Sequence, residues 1–258
     1  DATSFTQELR LSGGSERSDW VVGAYYLNID TDSSNALKAP VNSIFGVIAL
    51  PADIVTIARL ETDSYSLFGQ YEYELTDSIR LIGGLRGMRE EKDYQVNIGV
   101  APSMGNDQVT YDVGMLIPNA AGTGDPHSYQ DDLSETFWTG KLQVDYAPND
   151  DLLIYAGVNR GVKAGSFNAA LLGAYLGGGG NAGIPYDEEV LTSYEVGFKA
   201  TLAGGAARLN GSAYYYDYED YQAFLFVGVG GNSVNLDAET YGAEIESVSY
   251  THLTLPTT

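Results

Sequence analysis

Side-chain polarity in this chain alternates with a period of two, and it does so repeatedly. From Ser64 to Leu75 one parity reads Tyr65, Leu67, Gly69, Tyr71, Tyr73, Leu75, and the other reads Ser64, Ser66, Phe68, Gln70, Glu72, Glu74. From Trp138 to Tyr146 the apolar parity is Trp138, Gly140, Leu142, Val144, Tyr146, against Thr139, Lys141, Gln143, Asp145. A third case sets Tyr194, Val196, Phe198, Ala200, Leu202 against Ser193, Glu195, Gly197, Lys199, Thr201. This period belongs to extended strands whose two faces meet different surroundings. In each case one face carries no charge. Less regular stretches at 4–12, 20–30, 79–99, 152–163, 206–226 and 234–246 bring the expected total to about nine strands.

The connections between these strands alternate in length. Short joints occur at 12–19, at Thr76-Asp77, at Pro148-Asn149-Asp150 and at Ala203-Gly204-Gly205, where Asp, Asn and Gly supply turn geometry. Long connections lie between them, at 31–54, 100–133 and 165–189, with a shorter one at 227–233. In an antiparallel meander this order sends every tight turn to one end and every long loop to the other. A transmembrane β-barrel has that layout, with tight periplasmic turns and long extracellular loops.

Energetics choose the outward face. A Lys or Arg facing lipid near the bilayer midplane costs roughly 2–4 kcal/mol. Placing the polar parity outward would expose Glu72, Glu74, Lys141, Asp145, Glu195 and Lys199 to hydrocarbon in the three clean strands alone. The charges are therefore expected in the lumen. Crossing takes about 9–11 residues per strand, so 79–99 and 206–226 are expected to rise above the membrane. No stretch approaches the roughly 18 apolar residues of a spanning helix, so a membrane protein of this sequence has to be a barrel. Nine strands is an odd number and leaves an open edge. The expectation is a portion of a larger, even-stranded wall.

Composition excludes other classes. The 258 residues contain 35 Asp+Glu against 13 Lys+Arg, a net charge of -22, which opposes any groove that tracks nucleic-acid phosphates. Twenty tyrosines and 44% hydrophobic residues set the chain apart from a disordered acidic segment. With no Cys, and with His127 and His252 far apart, neither a disulfide scaffold nor a zinc site is expected. Glu90-Glu91 and Asp131-Asp132 are sequence neighbours that point to opposite faces of a strand, so they form no catalytic carboxylate pair. Gly177-Gly-Gly-Gly-Asn-Ala-Gly183 lacks the Lys-Ser/Thr of a phosphate loop and reads as a flexible connection. An enzyme is not expected, and no cofactor or metal is implied.

Several segments are familiar in their order. Ser4-Phe-Thr-Gln-Glu-Leu-Arg-Leu-Ser12 is followed by Asp19-Trp-Val-Val-Gly-Ala-Tyr-Tyr26, and Leu67-Phe-Gly-Gln-Tyr-Glu-Tyr-Glu-Leu-Thr-Asp77 leads into Gly84-Leu-Arg86. Then come Leu153-Ile-Tyr-Ala-Gly-Val-Asn-Arg-Gly-Val-Lys-Ala-Gly-Ser-Phe-Asn168, Tyr186-Asp-Glu-Glu, Tyr194-Glu-Val-Gly-Phe-Lys199, Ala213-Tyr-Tyr-Tyr-Asp-Tyr218 and Tyr241-Gly-Ala-Glu-Ile-Glu246. This succession over residues 4–246 resembles the middle of the barrel of TonB-dependent outer-membrane receptors, although Val162 stands where the family usually has an aromatic. The resemblance implies an all-β, antiparallel transmembrane barrel of 22 strands, closed by an N-terminal plug, in the bacterial outer membrane. It implies import of a scarce nutrient, a ferric siderophore first and cobalamin or a glycan after it, with energy delivered by TonB through a short N-terminal box. Plug and box are expected to lie outside this chain, which reads as a mid-barrel fragment over 1–247. Residues 248–258 do not continue the alternation and are expected to be a non-native, adaptor-like tail.

Two sets of residues stand out within that frame. Glu72, Glu74, Arg86, Lys141, Asp145, Glu195, Lys199 and Arg208 are expected to line the lumen, where they either hold a plug through ion pairs or pair and solvate among themselves. Tyr129, Phe167, Tyr175 and Tyr186 are loop aromatics that either contact a small nutrient ligand or pack within the loops. Expected partners are the TonB complex, the ligand, outer-membrane lipid and lipopolysaccharide, with acidic loops suited to divalent-cation bridges. Two other readings remain open from sequence: a passive, porin-like outer-membrane channel and a secreted all-β adhesin.

Overall fold

The computed structural model describes residues 1–39, 52–102, 116, 127–168, 183–227 and 230–249. Nine strands form one antiparallel sheet, each paired with its neighbour in sequence except where a short hairpin intervenes. They are β1 (Ala2–Ser15), β2 (Ser18–Ala39), β3 (Ala52–Thr76), β4 (Ile79–Pro102), β5 (His127–Asn149), β6 (Leu152–Lys163), β9 (Glu189–Leu202), β10 (Ala207–Val227) and β11 (Gly230–Ser249). Two-residue strands β7 (Ser166–Phe167) and β8 (Pro185–Tyr186) pair with each other inside the connection from β6 to β9. Apart from this short hairpin, no second sheet or helical layer covers the nine strands among the described residues.

The three clean alternating segments fall within β3, β5 and β9, and their apolar parity is the bare one. Leu67 is 71% exposed and Leu142 59%, and Val144 and Val196 are exposed as well. In a soluble protein this continuous apolar face would have to be covered; bounded by aromatic residues, it is the belt of a barrel wall. Trp20, Tyr71, Tyr73 and Tyr146 lie near the tight turns, and Tyr65, Trp138, Tyr194, Tyr215 and Tyr241 lie towards the other end, all exposed. Tyr194, Tyr215 and Tyr241 stand directly opposite one another on three adjacent strands. From Trp138 to Tyr146 the strand covers about 27 Å at about 3.4 Å per residue, which a barrel tilt of about 40° reduces to roughly 20 Å of height.

The register carries the signature of closure. Ser18, the first residue of β2, pairs with Tyr73, three positions before the end of β3. Ile79 pairs with Tyr146, three before the end of β5, and Leu152 pairs with Ala200, two before the end of β9. Each hairpin is displaced from the previous one in the same sense, which is the stagger that a tilted, closing sheet requires.

Two of the tight turns, those at 12–19 and 148–150, are tighter than the sequence suggested. Glu16-Arg17, Asp77-Ser78 and Asp150-Asp151 separate their strands by two residues each, so the 12–19 joint is mostly strand. The turn from β9 to β10 passes through Ala203 (φ 53°), Gly204 (φ 63°) and Gly205 (φ 94°), left-handed geometry that the two glycines adopt without steric cost and that is uncommon for the alanine. At the opposite end the strands run further than their alternation. β2 continues to Ala39 and β5 begins at His127, each well inside an expected long connection, β3 begins at Ala52, two residues before the expected end of its connection, and the expected 227–233 connection shrinks to residues 228 and 229.

On β3 and β4 the reason is that the far end of the wall is covered on both faces, which removes the contrast that produces alternation. Ala58, Tyr94, Val96 and Ile98 are buried beneath Phe167 and Ile184 on the lumen side. Val55 and Ala101 are buried with Leu116 on the other. β11 runs to Ser249, with Val248 opposite Arg208; residues 250–258 lie outside the described set.

In the complete protein folded into bilayers, Val196→Arg should lower the unfolding free energy by roughly 2–4 kcal/mol. Lys141→Gln on the lumen face should change it by no more than about 0.5 kcal/mol. Denaturant titrations giving equal losses would reverse the assignment of faces.

Candidate functional site on the lumen face

Two regions of the lumen face bring functional side chains together: the polar wall level with the belt, and a clamped hairpin above it. Along the wall, the acids already have donors. Gln70 Nε2 donates to Glu72 Oε1 at 2.9 Å, and Arg80 reaches both Glu72 (3.9 Å) and Glu74 (3.2 Å). Gln143 Nε2 donates to Asp145 at 2.7 Å, and the Tyr155 hydroxyl donates to Glu195 at 2.6 Å. The cations are different. Arg86, Lys141, Lys199 and Arg208 have no carboxylate within ion-pair distance among the described residues. Arg86 lies over the Tyr25 ring at 5.5 Å, and its buried Nε has no acceptor.

Above the wall, the segment from Gly165 to Asn168 folds back against the lumen face and pairs with 183–186. Phe167 stacks on Tyr94 with centroids 4.7 Å apart and planes within 7°, and it is buried. The Tyr94 hydroxyl, pushed up to about 12 by burial, stays protonated and donates to Asn168 O at 3.3 Å. Asn168 is the latch. Its Nδ2 donates to Gly183 O (3.0 Å) and Ser233 O (2.9 Å), and its Oδ1 accepts from Ser233 N (2.7 Å). Gln222 performs the same service beside it, donating to Ala164 O (2.9 Å) and Asp187 O (3.0 Å) just past the bulge where Asp220 takes φ 54°. Gly165 sits so close that a Cβ would meet Tyr186 O at 2.7 Å. Its carbonyl accepts from the buried Lys92 ammonium at 2.6 Å, and its N–H donates to Glu135 at 3.2 Å.

The four loop aromatics therefore part company. Phe167 is an internal anchor, Tyr186 is half-buried in the short hairpin, and Tyr129 packs half-exposed against the same cluster with its hydroxyl on Asp131. Tyr175 and most of the glycine run lie outside the described residues. Sequence reasoning missed Lys92, Tyr94, Glu135, Asn168 and Gln222. The available signal was the Gly165-Ser-Phe-Asn168 motif, in which glycine, aromatic and amide together specify a clamped turn.

The family described as TonB dependent receptor-like, beta-barrel matches residues 1–256. The chain belongs to the TonB-dependent receptor family. Its barrel wall accordingly lies in the bacterial outer membrane. The wall superposes on the ferric yersiniabactin uptake receptor FyuA from Yersinia pestis with a TM-score of 0.70 at 20% identity, covering 95% of this chain and 32% of that one. It also superposes on the siderophore receptor PiuA from Acinetobacter baumannii (0.61, 13% identity, 98% and 36%) and on the closed form of the ferric-catecholate import receptor Fiu from E. coli K12 (0.60, 14%, 98% and 36%). At these identities the likeness is one of fold. The chain spans about a third of the length of each receptor.

Two outcomes test the clamp in the complete receptor. Asn168→Ala leaves buried partners unpaired, at a cost of about 1–3 kcal/mol, and should accelerate hydrogen exchange at the Asn168 and Ser233 amides with little change in β9. Glu135 is raised above the ordinary carboxylate range by burial first and by Glu188 next. The folded clamp thus binds more protons than the open one, so its stability is greatest below the ordinary glutamate value and is lost as pH rises through the raised one. Exchange at these amides, corrected for intrinsic rates, should therefore show weaker protection with rising pH, and Glu135→Gln should flatten that dependence.

Proposed function

We propose that this wall belongs to an active-transport receptor that imports a scarce nutrient, a ferric siderophore, with energy delivered by TonB. The observation that carries the reading is the family match over residues 1–256, supported by a lumen face built for contact with another body rather than for a bare aqueous pore. Four lumen cations without acid partners, and an aromatic-anchored hairpin folded inward above them, suit a wall that holds a plug below and meets cargo above. In this reading Arg86, Lys141, Lys199 and Arg208 meet carboxylates of the plug, while Glu72, Glu74, Asp145 and Glu195 keep their wall partners and supply secondary contacts.

Tyr129 and Tyr186, the half-exposed aromatics beside the clamp, offer amphipathic faces to the ligand. Phe167 fixes the segment that carries Tyr186, and Tyr175 belongs to the same connection. The choice of a ferric siderophore over cobalamin or a glycan draws on the structural relatives, whose own names specify ferric yersiniabactin, ferric catecholates and a siderophore.

The test is uptake of radiolabelled ferric siderophores by cells carrying the full reading frame. Uptake should collapse when TonB is deleted or when the proton gradient is dissipated. Uptake that persists under both treatments would make the protein a passive channel.

A further inference from the structure

The outward face carries a cation that the lumen chemistry does not explain. β6 turns Ile154, Ala156, Val158 and Arg160 outward in succession, so Arg160 stands at the upper edge of the apolar belt, eight residues above Leu152. Its guanidinium lies 4.3 Å from the centroid of the Trp138 ring, and Nη1 donates to Trp138 O. The two other outward arginines above the belt are neutralised: Arg59 by Asp30 at 2.6 Å, and Arg89 by Glu91 at 2.7 Å. Arg160 has no carboxylate within ion-pair distance among the described residues, although the chain carries 35 acids. A guanidinium held over an indole and bonded through one nitrogen still carries further N–H groups, a fork of donors that matches phosphate oxygens.

Directly beneath it lies the other half of the site. The small side chains of Ala156 and Ala213 leave a groove of about 600 Å³ in the belt, bordered by Leu142, Val144, Tyr194 and Tyr215. The groove is almost wholly apolar and opens towards hydrocarbon. A charged, hydrogen-bonding head at the water boundary above an apolar channel in the belt describes an amphiphile with one phosphate end and one acyl end.

We propose that Arg160, Trp138 and the groove below them form a binding site for a phosphate-bearing lipid of the outer leaflet, with the phosphate on the guanidinium and an acyl chain between Leu142 and Tyr215. The site concerns only the outer surface. It does not depend on which nutrient is carried or on how transport is energised.

The test uses the complete receptor in detergent, with native mass spectrometry against dioctanoyl phosphatidic acid, dioctanoylglycerol and inorganic phosphate. Phosphatidic acid should bind about ten-fold tighter than the neutral diacylglycerol, the increment of one charge-assisted contact. Arg160→Gln should erase that difference while leaving diacylglycerol binding as it was, and Arg160→Lys should keep part of it. Ala156→Trp, which fills the groove, should weaken both lipids. The proposal is overturned if Arg160→Gln leaves the phosphatidic acid preference intact, or if inorganic phosphate binds as tightly as the lipid. Heat-modifiable migration of each variant on gels confirms folding, and any variant that fails it is replaced by Trp138→Leu, which should lower the same preference by removing the stack.

Discussion

Every backbone N–H and C=O in a bilayer must find a partner inside the protein, because hydrocarbon offers none. That requirement produces the long antiparallel ladder from β1 to β11, in which each strand between the edges is paired on both sides. Once the ladder is fixed, side chains can only alternate between its faces. The sequence then has one remaining freedom, which is to decide which parity meets lipid. Leu67, Leu142, Val144 and Val196 take the outside, and Glu72, Lys141, Asp145 and Glu195 take the lumen. The aromatic rows mark where this rule stops applying, because an indole or phenol is at ease where one end is apolar and the other wet.

Beyond those rows a different constraint governs. The strands continue into water, their pairing is kept, and burial is decided by whatever folds back onto them. Phe167 and Ile184 cover the lumen side and Leu116 the other, so Ala58 and Val55, three apart on β3 and opposite in direction, are both buried. The clamp between Asn168, Gln222 and Lys92 joins the β6 to β9 connection to strands β4, β10 and β11 by hydrogen bonds to backbone groups. Gly165 stands where the chain approaches too closely for a Cβ, and Asn168 where an amide can bond backbone groups of Gly183 and Ser233 together.

How much could be read beforehand follows from the same division. Where lipid lies on one side and water on the other, contrast is high, and the stretches from Ser64, Trp138 and Ser193 gave strand and antiparallel pairing correctly. Where contrast is weak, strand was taken for loop, as at 31–39, 52–54 and 127–133. The residues of the clamp were hidden for a related reason: Lys92 and Glu135 sit in ordinary alternating strand, and nothing local reveals that a segment 30 or more positions away returns to lie on them. Phe167 and Tyr94 show the same thing for aromatics, since a ring that stacks internally and one that faces a ligand are identical in sequence.

The repeated displacement of one hairpin against the next has a mechanical meaning. Side chains that face each other across neighbouring strands do not lie at one height; they climb around the axis like the thread of a screw. A body drawn out along that axis meets the wall's polar side chains in a spiral, releasing them strand after strand instead of shearing a whole ring at once. For any such body the work of withdrawal would be distributed over distance, and the peak force would be lower than the number of contacts alone would suggest.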